Sequence, residues 1–281
     1  MRVVLIHGRA AAMDIPGVML RDWTEALRFG LSRIPLTIDP ADVDVRLAFY
    51  GDIWRPDFKQ PLPVIEPAPP TPELGLPGVS DVALWFDEHL GVGDTLAETL
   101  LRDVDDYLSE PALRTSTNQR LIGAINAGLP DGERVVVVGF SMGSFVAYDT
   151  LRADPDLPVA ALITIGSPLA MPSFYRRVAA GAPGSAVAPP GGSNPTPVPS
   201  QLGMWVNLWT RDDPGTAGHV QMPDRYRPQA PSTIRVQDVE TWGRSVSPTN
   251  PAAAHNASDY LSSRVFATAL HAALAMIAGG D

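Results

Sequence analysis

Cysteine is absent from the 281 residues, which excludes disulfides, thiolate metal sites and cysteine nucleophiles while leaving the redox compartment open. Lysine occurs once, at Lys59, so nearly all positive charge rests on arginine. Basic residues are also outnumbered, with Lys+Arg at 21 against Asp+Glu at 31 and a formal net charge of −10 at pH 7. A surface of that sign repels phosphate backbones and anionic lipid, so no nucleic-acid partner is expected. Long apolar runs are missing too. Val3–Ile6 is too short for the core of a signal peptide, and no small-residue cleavage site follows it. The apolar stretch Val265–Ala278 is 14 residues long and interrupted by His271, whereas a spanning helix needs about twenty. The expectation is therefore a buried terminal helix, no integral membrane segment and a cytoplasmic chain. No H-E-x-x-H, EF-hand or P-loop pattern occurs, and GVGDTL at 91–96 lacks the third glycine of a dinucleotide fingerprint. No metal and no cofactor is expected.

What the chain does have is ordinary globular composition, 45% hydrophobic and 19% charged, enough for a sizeable core. Its arginine, alanine and proline bias points to a GC-rich bacterial genome. Short β-branched runs alternate with helical stretches: strands at 2–6, 43–50, 134–139, 159–166, 204–210 and 232–237, and helices near Leu20–Ser32, Thr95–Leu129, after Ser141 and from Ser258. Continuous apolar strands such as VVVV are buried on both faces, as a parallel sheet between helical layers requires. The pattern predicts one α/β domain over residues 1–281, with a mostly parallel sheet and helices on both faces. Two segments break the rhythm. Arg55–Gly78 is loaded with proline and Ala179–Ser200 with Gly, Ala, Pro and Ser, so neither holds a regular interior element. They read either as surface loops or, with the second insert taken as 170–203, as a cap or lid over a pocket.

The strongest chemical signal is Gly139-Phe140-Ser141-Met142-Gly143, directly after RVVVV and before the helical stretch FVAYDTLRAD. A tight strand-to-helix turn forces the central serine into a strained conformation with its hydroxyl exposed, and flanking glycines let neighbouring backbone pass. The competing reading is a plain βα turn in which Ser141 merely caps the helix.

A serine hydroxyl is a poor nucleophile at neutral pH, so an imidazole must take its proton and an acid must orient that imidazole. Of the five histidines, His7 lies in the first strand-to-loop turn, His89 in the helix-like WFDEHL and His271 inside an Ala/Leu-rich helix. Those three read as turn, surface and packing residues, and His219 shares a loop with Asp213. His255 remains, in the polar PAAAHNASDYL after the last predicted strand, where the third member of a Ser, acid, His order belongs. For the acid, WVNLWTRDDPG offers Asp212 and Asp213 just beyond strand 204–210. Asp213 is preferred because Pro214 biases its backbone towards extended geometry. Two backbone amides must hold the oxyanion, one from Met142 and one from the loop after the first strand, at Arg9. Phe140, Leu169, Met171, Phe174 and Tyr175 are the candidate walls of an apolar substrate pocket.

Taken in order, LIHG, GFSMG, ITIGSP at 163–168, WVNLWTRDDP and the AHN…YL segment resemble the α/β-hydrolase superfamily, and more narrowly its bacterial serine esterase- and lipase-like members. The resemblance covers most of Val3–Gly166 and Met204–Ala278. It implies the α/β-hydrolase fold, from whose pattern this chain departs in that its sheet is expected to begin at the HG strand, without the two antiparallel strands that often precede it. It also implies Asp213 as the acid before proline, and an oxyanion hole built from the HG loop at Arg9 together with Met142. The implied activity is cleavage of a carboxylic ester or thioester through an acyl-enzyme at Ser141. The same parts serve an acyltransferase or cyclase if water is excluded from the acyl-enzyme. A further alternative is a non-catalytic scaffold that uses its Pro-rich segments for recognition.

Overall fold

A computed structural model describes residues 1–8, 15–36, 38–54, 96–171, 196–216, 219, 221–228, 234, 236–242 and 254–279. Six strands form one sheet: β1 (Arg2–Ile6), β2 (Asp44–Ala48), β3 (Val135–Phe140), β4 (Val159–Ile165), β5 (Met204–Trp209) and β6 (Val236–Glu240). Their order is β2-β1-β3-β4-β5-β6, and every pairing is parallel. All residues of β1, β3 and β4 are buried, whereas β2 and β6 at the edges are partly exposed, which accounts for their more polar sequences.

Side chains alternate across the sheet, so each central strand feeds two cores. Val4, Ile6, Val135, Val137, Leu162 and Trp205 point to one face, covered by α3 (Pro111–Asn126) and α4 (Met142–Ala153). Val3, Leu5, Val136, Val138, Ala161 and Ile163 point to the other, covered by α1 (Pro16–Leu31) and α6 (Arg264–Ala278). The α/β architecture with helices on both faces is thus the one expected from the continuous valine runs. From β1 the chain moves out to β2 and then returns across β1 to β3. The carboxyl ends of β1 and β3 therefore flank the point where strand order reverses, the position at which open α/β sheets leave a crevice.

Three boundaries differ from the sequence reading. The helical region expected over Thr95–Leu129 is two helices, α2 (Leu96–Ser109) and α3, divided at Pro111, because proline lacks an N–H and keeps the residue before it out of helical geometry. The last helix is likewise divided into α5 (Ala257–Leu261) and α6, the second restarted by Ser263, whose Oγ accepts from the Phe266 amide at 3.1 Å. The last strand, Val236–Glu240, runs three residues past the expected end at 237, and residues 232, 233 and 235 of the expected run lie outside the described residues. Its charged Asp238 and Glu240 look unlike strand residues, yet an edge strand tolerates them, and Asp238 finds buried partners there. A minor parallel pair, Thr196–Pro197 with Tyr226–Arg227, was not foreseen. The insert 55–78 lies outside the described residues, as does 172–195 of the second insert. The described tail of the second insert packs inward through Val198 and Leu202, and Tyr148 donates to the Pro197 carbonyl at 2.8 Å.

Candidate active site

Ser141 sits between β3 and α4 at φ 53°, ψ −127°, and it is the one non-glycine residue with positive φ among those described. A serine in that region is strained by about 1–3 kcal/mol and persists only where its surroundings enforce it. Here the enforcement is visible. The Ser141 amide donates to the Ile165 carbonyl at 3.1 Å, and the first turn of α4 presses on the end of β1 at Gly143. A Cβ on Gly143 would collide with the Ile6 and His7 carbonyls, so only glycine fits.

Three side chains from three separate parts of the chain meet at this elbow. Ser141 Oγ lies 2.8 Å from His255 Nε2, and His255 Nδ1 lies 2.8 Å from Asp213 Oδ1. With Ser141 donating to Nε2, the imidazole proton is on Nδ1 and is donated to the carboxylate. The serine is 2% and Asp213 1% exposed, so the line of bonds is shielded from competing water. Asp213 belongs to the turn after β5, which is tied together by Thr216: its amide donates to the Asp213 carbonyl at 3.0 Å and its Oγ1 to the Thr210 carbonyl at 2.8 Å. The Gly215 amide donates to Asp213 Oδ1 at 2.7 Å. Asp212, the other candidate acid, is exposed.

His255 stands one residue before Asn256, whose Oδ1 accepts from the Ser258 amide at 2.9 Å and starts α5. The ring of Phe140 packs against the imidazole with centroids 4.7 Å apart, and Trp23 from α1 meets Phe140 edge-on at 5.9 Å. Phe140, Leu169 and Met171 are all buried, with Phe140 bearing on His255. Arg9, Phe174 and Tyr175 lie outside the described residues. Met142 is the first residue of α4, where backbone N–H groups lack intrahelical partners.

Tyr260, to which the sequence reading assigned no role, joins this group. Its hydroxyl donates to Asp213 Oδ2 at 2.7 Å, and burial followed by the charge of Asp213 raises its pKa far above the ordinary tyrosine value. The signal for it in the sequence was its position one helical turn beyond an Asn-capped start next to His255.

The other histidines have separate duties. His7 is fully buried, accepts from the Tyr50 amide on Nε2 at 3.0 Å and is 2.6 Å from the Gly8 carbonyl through Nδ1. Burial lowers its pKa to about 4, so it is a neutral strut between the β1 and β2 loops. His219 does share the stretch after Asp213, but its Nε2 pairs with Asp238 Oδ2 at 2.8 Å, and its ring stacks on Trp209 at 4.1 Å. Asp238 also accepts from Asn207 Nδ2 at 2.8 Å and the Met222 amide at 2.9 Å, locking β5 to β6. His271 lies on α6, and His89 is outside the described residues. Among the described residues no cluster of His, Cys, Asp and Glu could hold a metal ion, and no helix is long and apolar enough to cross a membrane.

The fold and the site define an α/β protein with a Ser-His-Asp hydrogen-bonded line at the carboxyl edge of a parallel sheet. No family model and no curated protein matches the chain. Among solved structures, the chain is similar to a metagenomic carboxyl esterase, with 11% identity and a TM-score of 0.40 over 98% of this chain and 76% of that one.

Proposed function

We propose that this chain is a serine hydrolase of the α/β-hydrolase superfamily, a bacterial, cytoplasmic enzyme of esterase, lipase or thioesterase type that cleaves a small-molecule acyl substrate. The observation that carries the proposal is the unbroken line Ser141 Oγ, His255 Nε2, His255 Nδ1, Asp213 Oδ1, with two contacts of 2.8 Å, ending on a serine with positive φ. A cap or surface serine needs neither the imidazole nor the strain.

In acylation, Ser141 Oγ bonds to the substrate carbonyl carbon as its proton passes to His255 Nε2, and the displaced electron pair collects on the carbonyl oxygen. The backbone amides of Met142 and Arg9 receive that oxyanion. When the carbonyl re-forms, the C–O or C–S bond breaks and the leaving alcohol or thiol takes the proton from Nε2. A water molecule then gives a proton to the same nitrogen while its oxygen attacks the acyl carbon. Ser141 leaves with that proton and the carboxylic acid departs. Asp213 stays a carboxylate, holding the imidazole proton on Nδ1 and stabilising the imidazolium of each transition state. In this reading Phe140, Met171, Phe174 and Tyr175 are the apolar walls of the substrate pocket within a single domain. The chemistry uses only side chains and backbone amides.

The test is intact mass after incubation with a fluorophosphonate. Wild type gains one phosphonyl adduct, Ser141→Ala gains none and His255→Ala reacts slowly. A panel of esters and thioesters then defines the acyl preference. A folded wild-type chain that stays unlabelled overturns the proposal.

A further inference from the structure

Asp213 is surrounded by three donors that divide its two oxygens unequally. Oδ1 accepts from His255 Nδ1 at 2.8 Å and from the Gly215 amide at 2.7 Å, whereas Oδ2 accepts from Tyr260 Oη at 2.7 Å. The carboxylate is 1% and Tyr260 2% exposed, so water does not replace a missing donor cheaply. Free rotation about the terminal carboxylate torsion is broad in energy. A second fixed donor on the far oxygen is what holds the plane in which Oδ1 faces the imidazole.

The scaffold is arranged to bring that hydroxyl to bear. Tyr260 lies on α5, the helix that follows His255 after the Asn256 cap, so the base and the acid's third donor ride on one short rigid piece. That piece is clamped from behind by α1. Gly30 of α1 faces the Leu261 carbonyl so closely that a Cβ there would lie 2.6 Å from its oxygen, and Arg33 donates to the Ser262 carbonyl at 3.2 Å. On the opposite side Gly166, at φ 53°, leaves room for both partners: a Cβ there would sit 3.0 Å from Asp213 Oδ2 and 3.2 Å from the Tyr260 ring.

We infer that Tyr260 is a positioning residue of the hydrolytic site, acting through Asp213 to hold its carboxylate in the orientation that fixes the His255 tautomer. This rests on the serine-hydrolase proposal. Tyr260 touches neither the substrate nor the serine. Its hydrogen bond brings to three the donors that share the carboxylate's charge. Losing the hydroxyl affects the turnover of bound substrate, not its binding.

The experiment compares wild type, Tyr260→Phe, Asp213→Asn and the double variant, all full chains. Two readouts are used: the rate of fluorophosphonate labelling, and kcat and KM for p-nitrophenyl butyrate. A third readout needs no reactivity, the downfield proton resonance of His255 Nδ1–H, assigned by its loss in His255→Ala. The expected result for Tyr260→Phe is labelling and kcat lowered about 10-fold or more, the scale of one buried charge-assisted hydrogen bond, with KM within about twofold. Its Nδ1–H resonance moves, and the same change made on the Asp213→Asn background costs nothing further. Tyr148→Phe, which removes another buried hydroxyl that bonds to the Pro197 carbonyl, retains the wild-type rate. Should Tyr260→Phe fail to fold, 3-fluorotyrosine at position 260 keeps the ring and a more acidic hydroxyl, and must shift the same resonance. If wild type labels but Tyr260→Phe matches it in rate with the resonance unmoved, the positioning role is overturned while the hydrolase proposal stands. If wild type does not label yet the resonance moves in Tyr260→Phe, the hydrolase proposal falls and the Tyr260 to Asp213 to His255 coupling stands.

Discussion

The backbone of Gly8 lies against Ser141, close enough that a Cβ built on Gly8 would be 2.8 Å from Ser141 Cβ and 3.2 Å from its Oγ. The chain at Gly8, two residues beyond β1, thus lies directly against Ser141. Adding one methyl must push either the loop or the serine aside, and displacements of about 1 Å cost roughly 100-fold in rate. Gly8→Ala is expected to fold but to label with fluorophosphonate at least about 100-fold more slowly. Labelling at the wild-type rate would show that the loop plays no part at the serine.

Asp212 and Asp213 are adjacent in sequence but differ in surroundings, one exposed and the other buried against His255. Asp212→Ala should leave kcat within about twofold of wild type, as a surface change does. Asp213→Ala should lower it by about a thousandfold or more, because the imidazole loses its tautomer and its counter-charge. Ester turnover by the two variants, measured beside thermal unfolding, separates the two roles. Equal rates would return the choice of acid to open ground.

His7 supplies a pH dependence of stability. Burial lowers its pKa from the ordinary 6.5 to about 4, so the folded chain resists a proton that the unfolded chain accepts. The stabilisation is fully present above pH 6.5 and declines as pH falls to and through about 4, for a total of about 3 kcal/mol. Urea midpoints measured from pH 7.5 to 4.5 should fall for wild type. They should fall less for His7→Gln, whose carbonyl can still accept from the Tyr50 amide. Parallel curves would remove His7 from the acid sensitivity.

Asp149 of α4 joins three helices away from the site. It accepts from Arg114 Nε at 2.8 Å and from Tyr107 Oη at 2.7 Å, with the Arg114 and Asp149 side chains only 16% and 17% exposed. Removing one partner of such a shielded pair costs about 2–4 kcal/mol. Asp149→Ala should lower the unfolding free energy by that amount while the folded fraction labels at the wild-type rate. Slower labelling in the folded protein would instead tie the clamp to the elbow.

Much of the site was legible because its signals are local. Gly139, Ser141 and Gly143 sit within five residues between a valine strand and a helical run, and that span alone imposes the turn. His255 emerged by its place after the last strand and before the last helix. Other features were not legible, because their partners are far apart in the chain. His219 looked like a neighbour of Asp213 by sequence, yet its partner Asp238 comes from β6, an edge strand whose charged residues disguised it. Tyr260 lay within the AHN…YL segment but no role could be read for it there, since its reach to Asp213 depends on how closely α5 docks on α1 at Gly30.

The α/β pattern, the elbow and the candidates for base and acid followed from local preferences, since strand, turn and helix signals act over a few residues. Long-range packing put Asp213 rather than Asp212 against His255, gave that carboxylate its third donor and brought Ser141 to His255 across 114 positions. Those outcomes depend on the order in which parallel strands pair and on which helix faces pack together. Both are long-range choices made by burial of the whole sheet, and no local stretch of the chain encodes them.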